Sequence, residues 1–116
     1  MTEIFHWDTV PLEQMNPLVA RRVIHSETMT IARLDMKKGC LVPVHFHANE
    51  QISFVHKGRL RFMLDGKEQI VEAGQILRIP PHLPHSAEAL EDSVAMDVFS
   101  PRREDWIRGD DAYLRK

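Results

Sequence analysis

Cysteine is almost absent from this chain: Cys40 stands alone among 116 residues. One thiol cannot close an internal disulfide, so the expected compartment is a reducing cytoplasm. Long apolar runs are missing too. No stretch approaches the roughly 18 apolar residues of a membrane span, and Met1–Val10 has no signal-peptide core, so no membrane role is expected. There is no basic block either. Lys and Arg number 15 and Asp and Glu 17, a net charge of −2, which removes the electrostatic case for nucleic acid. Helical periodicity is lacking until the tail. What remains, with 43% hydrophobic and 28% charged residues, is the composition of one globular domain able to bury a core.

Short apolar runs separated by turn residues fill most of that domain. Residues 1–21 form an N-terminal lead-in, with a short strand at Ile4–Trp7 and a break at Pro11 and Asn16-Pro17. Strands are expected at Arg22–His25, Met29–Met36, Leu41–His47, Gln51–His56, Arg59–Leu64, Lys67–Val71, Gln75–Ile79, Ala87–Leu90 and Val94–Phe99. Asp65-Gly66 is the strongest hairpin signal, because both residue types tolerate the positive φ of a type I′ turn. Ser100-Pro101 then caps a short helix over Arg102–Arg108, with Gly109 as its stop. This is an all-β pattern of sandwich or small barrel type, with a barrel core at 22–99 and a tail at 100–116. No helix-length crossovers separate the strands, so the sheets are antiparallel.

Histidine is the surplus: seven residues, with four in two short segments. His45 and His47 are spaced i, i+2, which on a strand sends both rings to one face. Gln51 follows across a short turn, with Glu50 as its competitor, and His85 lies behind the stiff run Pro80-Pro81-His82-Leu83-Pro84. Three imidazoles and an amide oxygen would suit one borderline divalent cation, whether zinc, nickel, iron, manganese or cobalt. The same residues also admit a bland reading as exposed or hydrogen-bonded histidines, which is the reading given to His6, His25 and His56. His82 is read as a loop residue near the mouth. In Val94–Phe99, alternation groups Ala95, Asp97 and Phe99 on one face. Asp97 either points to solvent or sits inside, where it needs a hydrogen bond, a ligand or a catalytic role. Arg103 either folds over the mouth or is a solvated surface residue.

Gly39, His45-Phe46-His47, Gln51 and Gly58 at their spacing resemble the first motif of the cupin family. Gly74, Pro80 and His85 resemble the second. Two departures stand out: Gln51 replaces the usual metal-binding glutamate, and His82 replaces the glycine that usually follows the proline. The resemblance implies a small antiparallel jelly-roll barrel with the metal inside it. Its ligand shell would be wholly neutral, which favours an anionic substrate. The runs Asp97–Trp106 and Asp111–Leu114, read together with His45–Gln51 and Pro80–Leu90, resemble the cupins that linearise unsaturated uronates released by pectin and alginate lyases. By motif position that likeness implies His45, His47, Gln51 and His85 as metal ligands, Asp97 as the catalytic acid or base, and Phe99 and Arg103 as substrate-binding residues. Arg103 would grip the carboxylate through two parallel hydrogen bonds. The alternatives are a metal-dependent dioxygenase, a non-catalytic small-molecule binder, or a structural barrel whose histidines take up metal adventitiously. A homodimer is expected, paired through Ile4–Trp7 or Arg22–His25.

Overall fold

The computed structural model describes residues 2–115. Its strands are β1 (Glu13–Asn16), β2 (Val19–His25), β3 (Thr30–Met36), β4 (Leu41–His45), β5 (Glu50–Lys57), β6 (Arg59–Leu64), β7 (Lys67–Glu72), β8 (Ile76–Ile79), β9 (His85–Ala89) and β10 (Ser93–Ser100). One helix, α1, spans Glu104–Ile107, and 3-10 turns occupy Trp7–Thr9 and Ala112–Leu114. A six-stranded sheet ordered β1-β2-β3-β10-β5-β8 faces a four-stranded sheet ordered β4-β9-β6-β7, and every pairing is antiparallel. This is the expected jelly roll. The core lies between the sheets and is built from Met36, Leu60, Phe62, Val71, Ile79 and Ala95.

Strand alternation decides what enters that space. On β10, Ala95, Asp97 and Phe99 are buried, while Val94, Met96 and Val98 are only partly covered on the outer face. On β5, Gln51, Ser53 and Val55 point inward. Antiparallel register sets Asp97 opposite Ser53 and Phe99 opposite Gln51, so polar groups from neighbouring strands meet at one level of the barrel. The Asp65-Gly66 turn has the expected left-handed backbone, with φ of 50° and 82°.

Several boundaries differ from the sequence reading. Ile4–Trp7 is not a strand; the sheet begins with the β1–β2 hairpin, before the Arg22 boundary. Asn16-Pro17 does not break the structure there but makes the hairpin turn, in which Asn16 Oδ1 accepts the Leu18 N–H at 2.8 Å. Of the two segments expected to pair copies, Ile4–Trp7 is not a strand, while Arg22–His25 lies within β2 and is bonded to β3 alone, since β1 reaches only Val19–Arg21. β9 starts at His85 and not at Ala87, since His85 and Ser86 already pair with Leu64 and Met63. The helix is shorter than Arg102–Arg108, because Arg103 adopts ψ 82° and makes no side-chain cap, which frees its side chain to turn inward. Its end is as expected: Gly109, at φ 85°, donates to the Trp106 carbonyl and Asp110 to that of Asp105, a Schellman pattern. No described helix is long and apolar enough to cross a membrane.

Candidate functional site

The three histidines converge, though not by the route their spacing suggested. His45 is the last residue of β4, and His47 lies in the segment beyond it, outside any strand. His85 opens β9 as the cross-strand partner of His45. Ring centroids are 4.2 Å apart for His45–His85, 5.0 Å for His47–His85 and 5.7 Å for His45–His47. One ring nitrogen from each lies within 4.8 Å of the others.

Backbone carbonyls set the tautomers. His45 Nδ1 meets the Pro43 oxygen at 2.7 Å, His47 Nδ1 that of Asn49 at 3.1 Å, and His85 Nδ1 that of Leu83 at 2.8 Å. A carbonyl only accepts, so each Nδ1 carries the hydrogen and each Nε2 presents a lone pair. His85 Nε2 is buried with no hydrogen-bond partner among the described residues. His47 Nε2 faces Gln51 Oε1 at 3.2 Å, one acceptor against another. Protonation would relieve that contact, but burial lowers His45 and His47 to about 4 and His85 in the same direction, with the Arg103 charge acting on all three. Neutral imidazoles with orphaned, converging lone pairs fit a divalent cation, and their Nδ1–H bonds are the outer-shell bonds that orient such ligands. Of the four expected ligands, the three histidines form the cluster and Gln51 lies against it. The competitor Glu50 turns away and pairs with Arg78 at 2.6 Å.

Asp97 is inside. It is 8% exposed, and its Oδ1 accepts from Ser53 Oγ at 2.6 Å. Ser53 in turn accepts from Gln51 Nε2 at 2.9 Å, so a chain of contacts runs from His47 through Gln51 and Ser53 to Asp97. Burial raises the Asp97 carboxyl to about 6, against the Ser53 hydrogen bond, the Arg103 charge and the Gln51 amide, which all favour the carboxylate.

Arg103 is also inside, only 1% exposed. Its guanidinium lies 4.7 Å from the centre of the Phe99 ring and 4.3 Å from that of Trp106. Burial works against its charge, but hydrogen bonds from Nε and Nη2 to Asp105, at 2.9 and 2.7 Å, outweigh it and keep the group protonated. This corrects one expectation. The two-pronged face of Arg103 is occupied by Asp105, so a substrate carboxylate cannot take both of those donors. Tyr113 completes the wall. Its hydroxyl accepts from Arg103 Nη2 at 2.9 Å and Trp106 Nε1 at 3.1 Å, and its ring stacks on His45 at 4.6 Å.

His45, His85, Gln51, Asp97, Phe99, Arg103 and Tyr113 line one cavity. The cavity measures about 50 Å³, room for an ion and a water. The remaining histidines stay apart: His6 caps the Trp7–Thr9 turn, His25 bonds Thr30, and His56 is exposed. His82 sits at φ 66°, where glycine is easiest, and its N–H donates to the His47 carbonyl at 2.8 Å. It braces a ligand segment through its backbone.

The comparisons with known proteins agree with this geometry. Residues 32–100 match the Cupin domain family. The chain belongs to the cupins. It is 27% identical over 110 residues to the pectin degradation protein KdgF of Dickeya dadantii, covering 92% of this cupin and 100% of that protein. The structure of KdgF from a Halomonas species superposes with a TM-score of 0.85 at 28% identity, covering 91% of this chain and 99% of that one. An RmlC-like cupin from Shewanella frigidimarina gives 0.84 at 25% identity, with 91% and 96% covered.

The sequence reading missed Ser53, Asp105, Trp106 and Tyr113 as parts of the site. Ser53 was within reach, since it follows Gln51 by two residues on the same face of β5. The tail residues carried no periodic signal.

Proposed function

We propose that this cupin is an enzyme that opens the ring of unsaturated uronates, with one divalent metal ion held by His45, His47, Gln51 and His85. One observation carries the reading: a buried carboxyl, Asp97, and a buried guanidinium, Arg103, line the same cavity as the histidine cluster. The likeness over nine-tenths of the chain to KdgF, a pectin degradation protein in Dickeya dadantii, supports it. Alginate-derived unsaturated uronates share the same chemistry.

Such a substrate is a cyclic enol ether with a carboxylate on its double bond. Opening breaks the bond between the anomeric carbon and the ring oxygen. The anomeric hydroxyl loses its proton and becomes an aldehyde. The ring oxygen leaves with the electron pair, and the enolate so formed becomes a ketone when the neighbouring carbon takes up a proton. The net change is an isomerisation, so no oxidant or reductant is consumed. A divalent ion held by the four neutral ligands would supply Lewis acidity toward the substrate oxygens. Asp97 is the residue that would hold and pass on the proton, steadied by Ser53 on β5. Arg103 supplies fixed positive charge for the carboxylate, with Nη1 the donor not engaged by Asp105 or Tyr113. Phe99, fully buried beneath Arg103, holds that guanidinium in place and walls the site against water.

The test follows the conjugated double bond. Metal-replete protein mixed with a monomeric unsaturated uronate should remove its ultraviolet absorbance, and Asp97→Asn should slow the loss by at least about a hundredfold. Wild-type rates at the uncatalysed background, or an unchanged Asp97→Asn, would overturn the assignment.

A homodimer remains part of this reading, and the outer face of the larger sheet is a further surface for it. Ile24, Ile31, Val98 and Ile52 lie side by side across the outer face of the six-stranded sheet, with Met96 and Phe54 paired in the next row. A second copy would cover this apolar face about a twofold axis. Light scattering should return twice the chain mass, and a monomer would reject it.

A further inference from the structure

The Tyr113 hydroxyl has an unusual hydrogen-bond inventory. A phenol offers two acceptor positions and one hydrogen. Both acceptor positions are filled, by Arg103 Nη2 at 2.9 Å and Trp106 Nε1 at 3.1 Å. Neither partner can accept a hydrogen in return: guanidinium and indole N–H are donors only. No described residue accepts from Tyr113 Oη, so its hydrogen is directed away from both donors. The ring is held as firmly as the oxygen. It stacks on His45 at 4.6 Å, and the 3-10 turn Ala112–Leu114 begins at Asp111, whose carboxylate is bound by Arg21 and Arg115. A fixed phenol with one uncommitted hydrogen lines the same cavity as Arg103.

Arg103 has the complementary deficit. Its Nε and Nη2 are spent on Asp105 and Tyr113, and only Nη1 is left for a ligand. One guanidinium N–H and one neighbouring O–H, side by side, make the two-donor receptor that the guanidinium alone no longer offers. Resting on the uronate reading above, we infer that Tyr113 is a substrate-binding residue that donates its hydroxyl hydrogen to the carboxylate of the sugar, sharing that group with Arg103 Nη1. The preference for an acidic over a neutral sugar is then set jointly by barrel and tail. A hydroxyl next to a fixed cation gives a charge-assisted hydrogen bond, so its loss weakens carboxylate binding by about tenfold or more.

The test uses binding and not turnover. Titration calorimetry with the full chain compares D-galacturonate, its methyl ester and D-galactose, which differ only at the carboxylate. Wild type is expected to prefer the acid over both neutral sugars. Equal binding of acid and ester by wild type would end the proposal without any variant. Tyr113→Phe, which removes one oxygen, is expected to weaken the acid about tenfold and leave the neutral sugars within about twofold. Equal weakening of all three sugars would mean that Tyr113 only holds the tail. The same comparison in an Arg103→Lys background separates direct donation from positioning. A direct donor still costs about tenfold there, and a loss that vanishes shows that Tyr113 acts solely through Arg103 and overturns the inference. Turnover is scored separately: retained acid preference without loss of ultraviolet absorbance would reject the ring-opening reading and leave this receptor standing.

Discussion

Removing the Asp111 carboxylate should loosen the tail and leave the metal ligands in place. Asp111 is 2% exposed and accepts from two arginines: Arg21, which is itself 3% exposed, and Arg115, at 3.1 and 3.3 Å. Arg21 also lies 4.6 Å from the Trp106 ring, so this pair fastens both ends of the tail to β2. Asp111→Asn keeps the shape but leaves the Arg21 guanidinium buried with less compensation. Breaking a buried pair from one side costs about 3–5 kcal/mol. Glu13, half-exposed and 3.3 Å from Arg21, retains part of the compensation, which puts the expected loss near the lower end, about 3 kcal/mol. For a domain of this size that is roughly 10 °C or more in Tm.

The pH dependence of that loss carries the sign. Burial pushes the Asp111 carboxyl up, but hydrogen bonds from Arg115 and Arg21 and their charges outweigh it and hold it below the ordinary aspartate range. A carboxyl depressed in the folded state stabilises above its unfolded value, near 3.9, and that contribution fades as pH falls through the lower folded value. Urea titrations of wild type and Asp111→Asn should therefore differ by a constant amount between pH 8 and 5 and converge below about pH 4. Uptake of one zinc or nickel ion should be unchanged, since the four ligands sit on or beside the barrel strands. A difference below about 1 kcal/mol at pH 7, or one that does not shrink in acid, would refute the reasoning.

Three further outcomes follow from other contacts. His85→Ala should lower bound metal, measured by elemental analysis on untagged protein, from about one ion per chain to a small fraction. It should also remove the Tm gain that excess metal gives wild type, about 2.7 kcal/mol at a hundredfold over Kd. Ser53→Ala strips the shared partner from Gln51 and Asp97 at a fully buried position, and should cost about 1–3 kcal/mol in urea unfolding and slow turnover with it. Gly58→Ala should be far worse than Gly74→Ala. Both glycines have φ near 85–88°, which costs about 1–2 kcal/mol for an L side chain, but only at Gly58 would the new Cβ collide with Ser93 Oγ and meet the Asp92 carbonyl at 2.5 Å. Equal Tm losses would show that backbone conformation alone decides both sites.

What could be read from the sequence follows from the range of the forces involved. Strand alternation is local, so the inward set Ala95, Asp97 and Phe99 and the Asp65-Gly66 turn were legible. The histidine cluster was legible for a partly wrong reason: His45 meets His85 through cross-strand pairing, and His47 lies past the strand whose pleat was meant to aim it. The β1–β2 hairpin was hidden because Asn16-Pro17 reads equally as a break or a turn, and only pairing across it decides. Arg103 lines the cavity, but the fork that the resemblance assigns to substrate is bound by Asp105. An ion pair two residues away, to Asp105, leaves no trace in any periodic pattern.

The boundary of the family match gives these observations a common sense. Residues 32–100 contain all four proposed ligands, Ser53, Asp97 and Phe99, and stop before Arg103, Asp105, Trp106 and Tyr113. The likeness to KdgF covers 91–92% of the chain, so it extends well beyond that block. A neutral imidazole cluster in a barrel can serve many reactions, because its donors state only that a divalent cation fits. Recognition of an acidic sugar needs fixed positive charge and a donor beside it, and under the proposed reading both would come from the tail, through Arg103 and Tyr113. The tail is held to the barrel by Asn49 Nδ2 donating to the Arg102 carbonyl at 3.2 Å, by Thr30 accepting the Arg103 N–H at 2.8 Å, and by the Arg21–Asp111 pair. The Thr30 and Arg21–Asp111 anchors hold the tail without touching the histidine cluster, whereas Asn49 also meets His47 Nδ1 through its carbonyl. Substitution of Asp111 should therefore loosen the tail and leave metal affinity alone, while substitutions at His47 or His85 should abolish metal uptake and spare the preference for acid over ester; at Tyr113 and His45, whose rings stack, the two properties meet. Loss of both properties from a change at Asp111, His47 or His85 would mean that barrel and tail form one indivisible site.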